Sequence, residues 1–253
     1  MARRSLDARA HERHQETGRV TDARRDALIA ALYGPVGWPR ARWVVGRLRP
    51  HLPTACTLLD LGAGTGHTGA LLARQGWAVT LADVPPHPGA FGQRLIAHPC
   101  ARTLARRGGL TRVLFQGRLP FPDGQFGVTL LAFVLHHCPD PLAVLREAAR
   151  VSGRVIVIED LEAGGRRPGR AGQWLDALLN LEAGHPHAHR SQADWHALFR
   201  AAGLQVQAQE HWTTRPLGVR TGHTLFDLRP AGGSRAEVSW AAESPPGEAG
   251  RGS

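Results

Sequence analysis

Lysine is absent. All 31 basic residues are arginine, so the chain cannot supply the Gly-Lys-Ser/Thr end of a phosphate-cradling P-loop. Cysteine is scarce: Cys56, Cys100 and Cys138 stand far apart and form no Cys-x-x-Cys pair. That spacing excludes the common zinc and disulfide frameworks and fits a reducing cytoplasm. No apolar stretch follows the arginine-rich start, so residues 1 to 25 do not read as a secretory signal. The longest apolar run, Val128 to Leu135, is far too short to span a bilayer. Negative charge is in deficit, 21 Asp and Glu against 31 Arg, for a formal net charge of +10. Such a surplus raises the question of a nucleic-acid partner. Here the arginines are scattered rather than striped and accompany abundant Ala, Gly and Pro, the pattern of a global compositional bias. The expectation is therefore no membrane segment and no nucleic acid.

What is present centres on Leu58-Leu59-Asp60-Leu61-Gly62-Ala63-Gly64-Thr65-Gly66. A short apolar run ends in an acid, a glycine-rich turn follows, and then a stretch with helical potential from Thr68 to Gln75. Glycines allow a sharp turn and leave no Cβ between backbone and ligand, and the following helix points free N–H groups into the loop. Loops of this kind bind nucleotides at the carboxyl edge of a parallel sheet. The spacing is not that of a dinucleotide fingerprint, because His67 stands where Gly-x-Gly-x-x-Gly needs its third glycine. Trp77 to Ala82 reads as a second strand ending at Asp83, about 20 positions past the loop. A carboxylate there offers two acceptor oxygens to neighbouring ribose hydroxyls.

The 253 residues suffice for one α/β domain with additions at its ends. Residues 1 to about 25 read as a solvated helix. Helical spacing then covers Asp26 to Tyr33, stopped by Gly34-Pro35, and again Arg40 to Arg49, stopped by Pro50 and Pro53. Further strands are expected at Leu110 to Phe115, Val128 to Leu135 and Arg154 to Ile158. Helices are expected at Arg94 to Arg106, broken by Pro99, and at Asp140 to Arg150, capped by Asp140 with Pro141 in its first turn. Two more follow at Ala171 to Ala183 and Ser191 to Ala202, and two late strands at Leu204 to His211 and His223 to Leu228. Strands alternating with helices imply a mostly parallel sheet. The divisions are residues 1–50 as N-terminal helices, 51–229 as the main domain and 230–253 as a disordered Gly-, Ser- and Pro-rich tail.

Leu-Asp-Leu-Gly-Ala-Gly-Thr-Gly resembles motif I of the class I S-adenosylmethionine (SAM)-dependent methyltransferases. Leu119-Pro-Phe-Pro-Asp-Gly-Gln-Phe126, Val134-Leu-His-His-Cys-Pro-Asp140 and Leu145-Arg-Glu-Ala-Ala-Arg-Val151 are similar to the methyltransferase type 11 group, over roughly residues 55 to 160. The resemblance implies a Rossmann-like class I fold, with helices on both faces of a mostly parallel sheet and a late antiparallel strand pair. It also implies SAM as cofactor, a small organic methyl acceptor, and leading helices that fold over the cofactor as a lid. The implied cofactor-binding residues are Asp60, Gly62, Ala63, Gly64, Gly66, Asp83, Val84, Gln116 and Phe133. Two positions depart from the group's pattern. Gln116 stands near the place of an Asp that binds the adenine amino group, and Gly127 replaces an Asp before the fourth strand.

Methyl transfer is an in-line displacement that rests on alignment and exclusion of water. A neutral phenol or enol must also lose a proton, which asks for a base near pH 7. His137, followed by His136, is the candidate, at the carboxyl end of the fourth strand. Glu159 and Asp160 end the next strand at the same edge; Trp174, Asn180 and Arg215 lie in segments expected to cover the acceptor. His185, His187 and His189 alternate, but no supporting carboxylate or cysteine cluster accompanies them, so no metal is expected. Many nucleobase amine methyltransferases carry Asn/Asp-Pro-Pro-aromatic after the fourth strand; this chain has Leu135-His-His-Cys there, and its only Asn is Asn180. The alternatives to a small-molecule enzyme are an RNA methyltransferase that uses the arginine-rich ends, and a binding protein that keeps the fold without catalysis.

Overall fold

The computed structural model describes residues 2–86, 90–161, 190–215 and 221–231, with side chains of the first helix from Asp22 onward. The helix expected at Ala171 to Ala183, the residues Trp174 and Asn180, the histidines at 185, 187 and 189 and the tail after 231 lie outside the described residues.

Seven strands form one sheet in the order β3-β2-β1-β4-β5-β7-β6. They are β1 (Thr57–Leu61), β2 (Ala78–Asp83), β3 (Thr111–Leu114), β4 (Val128–Ala132), β5 (Val155–Asp160), β6 (Leu204–Thr214) and β7 (Thr221–Pro230). β1 to β5 are parallel, whereas β7 runs antiparallel to both β5 and β6. The described helices are α1 (Ala2–Leu48), α2 (His67–Arg74), α3 (His98–Gly108), α4 (Pro141–Val151) and α5 (Gln192–Ala201). This is the expected Rossmann-like arrangement. The strand order reverses between β1 and β4, and that is where such sheets open a crevice at their carboxyl edge.

Strand alternation divides the core between the two faces. Leu59, Leu61, Leu131, Val155 and Val157 pack with Leu145 of α4 and with Trp195 and Phe199 of α5. Leu58, Leu130, Ile156 and Ile158 pack with Val44, Val45 and Leu48 of α1, Leu72 of α2 and Ala105 of α3. Both caps that the sequence shows are built. Asp140 accepts from the Ala143 N–H, and Ser191 and Asp194 close a capping box at α5. The strand expected to reach Leu135 instead ends at Ala132, and a 3₁₀ turn, Leu135–His137, takes over.

The leading segment corrects the expectation. It is a single 47-residue helix that runs through Pro35 and Pro39 instead of two helices parted by Gly34-Pro35. An interior proline costs about 3 kcal/mol, but its φ is already helical. The buried stripe Ala30, Gly37, Ala41, Val44, Val45, Leu48 continues at helical spacing across both prolines, and each buried Val or Leu returns about 1.5–3 kcal/mol. Asp26, 2% exposed, fixes the helix further, because both its oxygens accept from Arg102 of α3, at 2.8 and 3.0 Å.

Candidate active site

A cavity of about 800 Å³ opens at the carboxyl edge of β1, β2 and β4, where the strand order reverses. The glycine turn after β1 forms its floor. Gly62, Gly64 and Gly66 all have positive φ, 76°, 53° and 75°. The Gly62 and Ala63 N–H groups both donate to the Ala82 carbonyl, which ties the turn to the end of β2. A Cβ at Gly62 would lie 2.6 Å from both methyl carbons of Val134, while one at Gly64 would meet nothing closer than 3.9 Å. The turn is therefore closed toward β4 and open toward the cavity.

Asp83 stands beside it. Its Oδ2 accepts from the Gly64 N–H at 2.9 Å and its Oδ1 from the Val84 N–H at 2.8 Å. Burial pushes its pKa up, against those two bonds and the nearby Arg112 guanidinium. Each oxygen retains a further lone pair. Val84, 44% exposed, forms the adjoining rim.

Opposite lies Phe133, directly after β4, with φ of 60°. A phenylalanine in the left-handed region costs about 1–2 kcal/mol, so its surroundings must impose the geometry. Its N–H donates to the Ile158 carbonyl. Its ring stacks on Trp43 of α1 at 6.1 Å between centroids and meets His223 of β7 edge-on at 5.7 Å.

His137 lines the cavity from the 3₁₀ turn. His136 is 1% exposed and faces the core instead, its Nδ1 2.6 Å from Glu159 Oε2. The other Glu159 oxygen accepts from the Leu135 N–H. One buried carboxylate thus holds the first two residues of the turn that presents His137. On the other side of β5, Asp160 bonds His223 Nδ1, and His223 Nε2 meets Thr214 Oγ1, each at 2.7 Å.

Of the expected cofactor contacts, Gly62, Ala63, Gly64, Asp83, Val84 and Phe133 share this cavity, and three positions do not. Asp60 is 3% exposed and accepts from the Gly69 N–H, with burial pushing its pKa up to about 7; it supports the start of α2. Gly66 packs against Ala101 and Leu81. Gln116 is exposed and outside the cavity lining, which takes its neighbours Phe115 and Gly117 instead. Gly127 lies at the far end of β4, where a Cβ would press to 3.0 Å from that of Cys56, so its departure from the group's pattern serves packing. The Leu119-to-Asp123 loop is pinned by Arg150, which donates to the Leu119 and Phe121 carbonyls, and by Glu147, which accepts the Leu119 N–H.

The spacing pattern gave no sign of what α1 adds. Tyr33, Gly37, Arg40, Ala41 and Val44 line the cavity. Gly37 sits so close to the His67 ring that a Cβ would fall 2.6 Å from it. His67 is 3% exposed, and burial pulls its pKa down to about 4, so it is neutral at pH 7. A glycine at 37 and a histidine at the first position of α2 form a matched pair, recognisable only once the two helices are seen to meet.

Residues 39–209 match the model of a family described as a methyltransferase domain. The chain belongs to that family. The methyltransferase domain is 38% identical over 106 residues to a demethylmenaquinone methyltransferase of Tropheryma whipplei, a match that covers 40% of this chain and 41% of that one. It is 27% identical over 190 residues to the 27-O-demethylrifamycin SV methyltransferase of Amycolatopsis mediterranei, covering 68% of this chain and 63% of the relative. The solved mitomycin 7-O-methyltransferase MmcR superposes with a TM-score of 0.50 at 26% identity, over 70% of this chain and 49% of that structure. The matched region thus spans from about two fifths to under two thirds of these relatives. SAM is the cofactor this membership implies. The site fits it: an open glycine turn beside a two-oxygen carboxylate, at the edge of a cavity large enough for a nucleoside and more. Among the described residues, no group of three or more His, Cys, Asp or Glu could hold a metal ion, and no helix is long and apolar enough to cross a membrane.

Proposed function

We propose that the chain is a SAM-dependent methyltransferase acting on a small organic acceptor in the cytoplasm. The observation that carries this reading is one cavity in which the glycine turn and Asp83 line one side and His137 the other. Its volume of about 800 Å³ lies within the range of small-molecule sites. The relatives act on demethylmenaquinone and 27-O-demethylrifamycin SV by their names, and both are small organic molecules.

SAM, when bound, supplies a methyl group made electrophilic by its sulfonium. The Asp83 carboxylate is the acceptor for ribose hydroxyls, and the open face at Gly64 lets the ligand approach the backbone. Phe133, Val134 and Val44 exclude water around the reacting atoms, and alignment in a dry site supplies most of the rate. His137 takes the proton of a neutral acceptor; Glu159 keeps its turn in place. Residues 1–50 act as the lid, because α1 forms one wall of the cavity, over a body of residues 51–229.

The test is incubation with methyl-labelled SAM and a panel of phenols, enols and quinols, read as label transfer and release of S-adenosylhomocysteine (SAH). Transfer is expected for at least one acceptor. His137→Ala should keep SAH binding and lose about 10²–10⁴ of turnover. Unchanged turnover in that variant removes the base role; a wild type that binds SAH yet transfers to no acceptor contradicts the enzyme reading.

A further inference from the structure

At the carboxyl end of β5, on the sheet edge that carries the glycine turn, lies a chain of polar side chains that the proposed reaction leaves unused. Asp160 stands opposite His223 across β5 and β7, and His223 stands opposite Trp212 of β6. Two pairs further along β6 and β7, Thr214 faces Thr221. Directly opposite residues share a sheet face, and so do alternate residues along a strand, so these side chains all stand on one face. Asp160 Oδ1 lies 2.7 Å from His223 Nδ1, and His223 Nε2 lies 2.7 Å from Thr214 Oγ1. A carboxylate only accepts, so in the neutral ring Nδ1 carries the hydrogen and Nε2 is left as acceptor. The Thr214 hydroxyl therefore donates to Nε2, and its lone pairs are what the chain presents to a ligand. Thr214 is half-buried and is the reachable end. Thr221 is 6% exposed, and its Oγ1 has no hydrogen-bond partner among the described residues; nor has Nε1 of the buried Trp212, whose ring lies 5.9 Å from that of His223. Buried hydroxyl and indole groups ordinarily find partners. The cluster is one ring away from the cavity, because His223 meets Phe133 edge-on and Phe133 lines the cavity.

We propose that Thr214 and Thr221 form a subsite for a second, non-reacting hydroxyl of the methyl acceptor, with His223 and Asp160 as positioning residues that fix the polarity of Thr214. This rests on the small-acceptor reading above and narrows it to acceptors with two hydroxyl groups, one for His137 and one for the subsite. A hydroxyl suits both threonines at once: it donates to Thr214, whose own hydrogen is committed to His223, and accepts from Thr221. An ether oxygen in the same place can only accept, and satisfies Thr221 alone. Catechol, resorcinol, hydroquinone and dihydroxynaphthalenes, each beside its monomethyl ether, are titrated calorimetrically into the SAH-loaded full chain. A diol and its monomethyl ether share the ring, the reacting hydroxyl and the second oxygen; only the diol offers a hydrogen on that oxygen.

At least one diol is expected to bind the wild type about tenfold tighter than its ether. Thr214→Val keeps the shape and removes the hydroxyl; it should bring that diol down to the level of the ether and leave the ether and SAH unchanged, while Thr214→Ser keeps the preference. Thr221→Val should weaken diol and ether alike. Asp160→Asn combined with His223→Phe frees the Thr214 hydrogen, so the ether should then match the diol, whereas a merely structural role would weaken the two together. Diols that bind no tighter than their ethers, a preference that survives Thr214→Val, or equal losses of both ligands in that variant overturn the proposal. So does an SAH-loaded wild type that binds none of these compounds. A wild type that binds no SAH fails earlier, at the cofactor reading itself, and the proposal falls with it.

Discussion

Gly62→Ala and Gly64→Ala make a paired test of the glycine turn, since two substitutions that look alike in the sequence should do opposite things. At Gly62 (φ 76°) the new Cβ falls 2.6 Å from both methyl carbons of Val134 and 3.2 Å from its Cβ. Rotating the valine does not relieve this, because its Cβ stays in place. The cost combines about 1–2 kcal/mol for a left-handed alanine with about 1–3 kcal/mol for overpacking, or about 2–5 kcal/mol in all. At Gly64 (φ 53°) the nearest atom is 3.9 Å away, so only the backbone cost of about 1–2 kcal/mol applies. At about 2–4 °C per kcal/mol for a domain of this size, Gly62→Ala should lower Tm by about 10 °C and Gly64→Ala by a few degrees. For binding the order reverses relative to stability. The Gly64 methyl group stands in the cavity and should weaken SAH by about tenfold or more, about 1.4 kcal/mol, in a protein still close to wild-type stability. Differential scanning fluorimetry and calorimetric titration read the two effects separately. Equal loss of Tm in both variants, or a Gly64→Ala protein that binds SAH as the wild type does, would refute the reasoning.

Glu159→Ala leaves the Leu135 N–H and His136 without that buried acceptor and should cost about 3 kcal/mol, seen as a lower urea midpoint; Glu159→Gln, which retains one acceptor oxygen, should lose less, and equal losses would argue against a hydrogen-bonding role. His67 and His98 have folded-state pKa values pulled down by burial to about 4, from 6.5. Between those values the unfolded chain binds the extra protons, so their contribution to stability is lost as pH falls from 6.5 toward 4. Asp60 acts in the opposite direction: raised from 3.8 to about 7, it holds its proton in the fold, so its effect lowers stability as pH rises through that window. Urea midpoints between pH 4.5 and 7.5 should show a shallower acid loss in His98→Gln and a steeper one in Asp60→Asn; slopes identical to the wild type would contradict both assignments.

The strand alternation, the parallel order and the caps at Asp140 and Ser191 could be read directly, because each is decided by residues within a few positions of one another. The break expected at Gly34-Pro35 failed for the converse reason. Local proline chemistry favours a stop, and burial of Ala41, Val44, Val45 and Leu48 against the sheet outweighs it. Within the site, Asp83 ends β2 while Gly64 and His137 lie in the turns that follow β1 and β4, and a parallel sheet gathers its carboxyl ends at one edge. Facing direction was not legible. Gln116 stays outside the cavity lining that its neighbour Phe115 joins, and His136 is drawn into the core by Glu159, 23 residues away. Gly37 acquires meaning only from the helix that carries it across the cavity.

Calorimetric titration of SAH into the wild type and Asp83→Ala tests the central claim most directly. Binding by the wild type at a 1:1 ratio, with about a hundredfold loss in a variant that is still folded and whose Tm falls by only a few degrees for the Gly64 and Val84 N–H groups left without their acceptor, is the predicted result; a hundredfold is about 2.7 kcal/mol, the lower end for two hydrogen bonds to a charged acceptor. No binding by the wild type, or equal binding by both proteins, would contradict the account of this cavity as a SAM site.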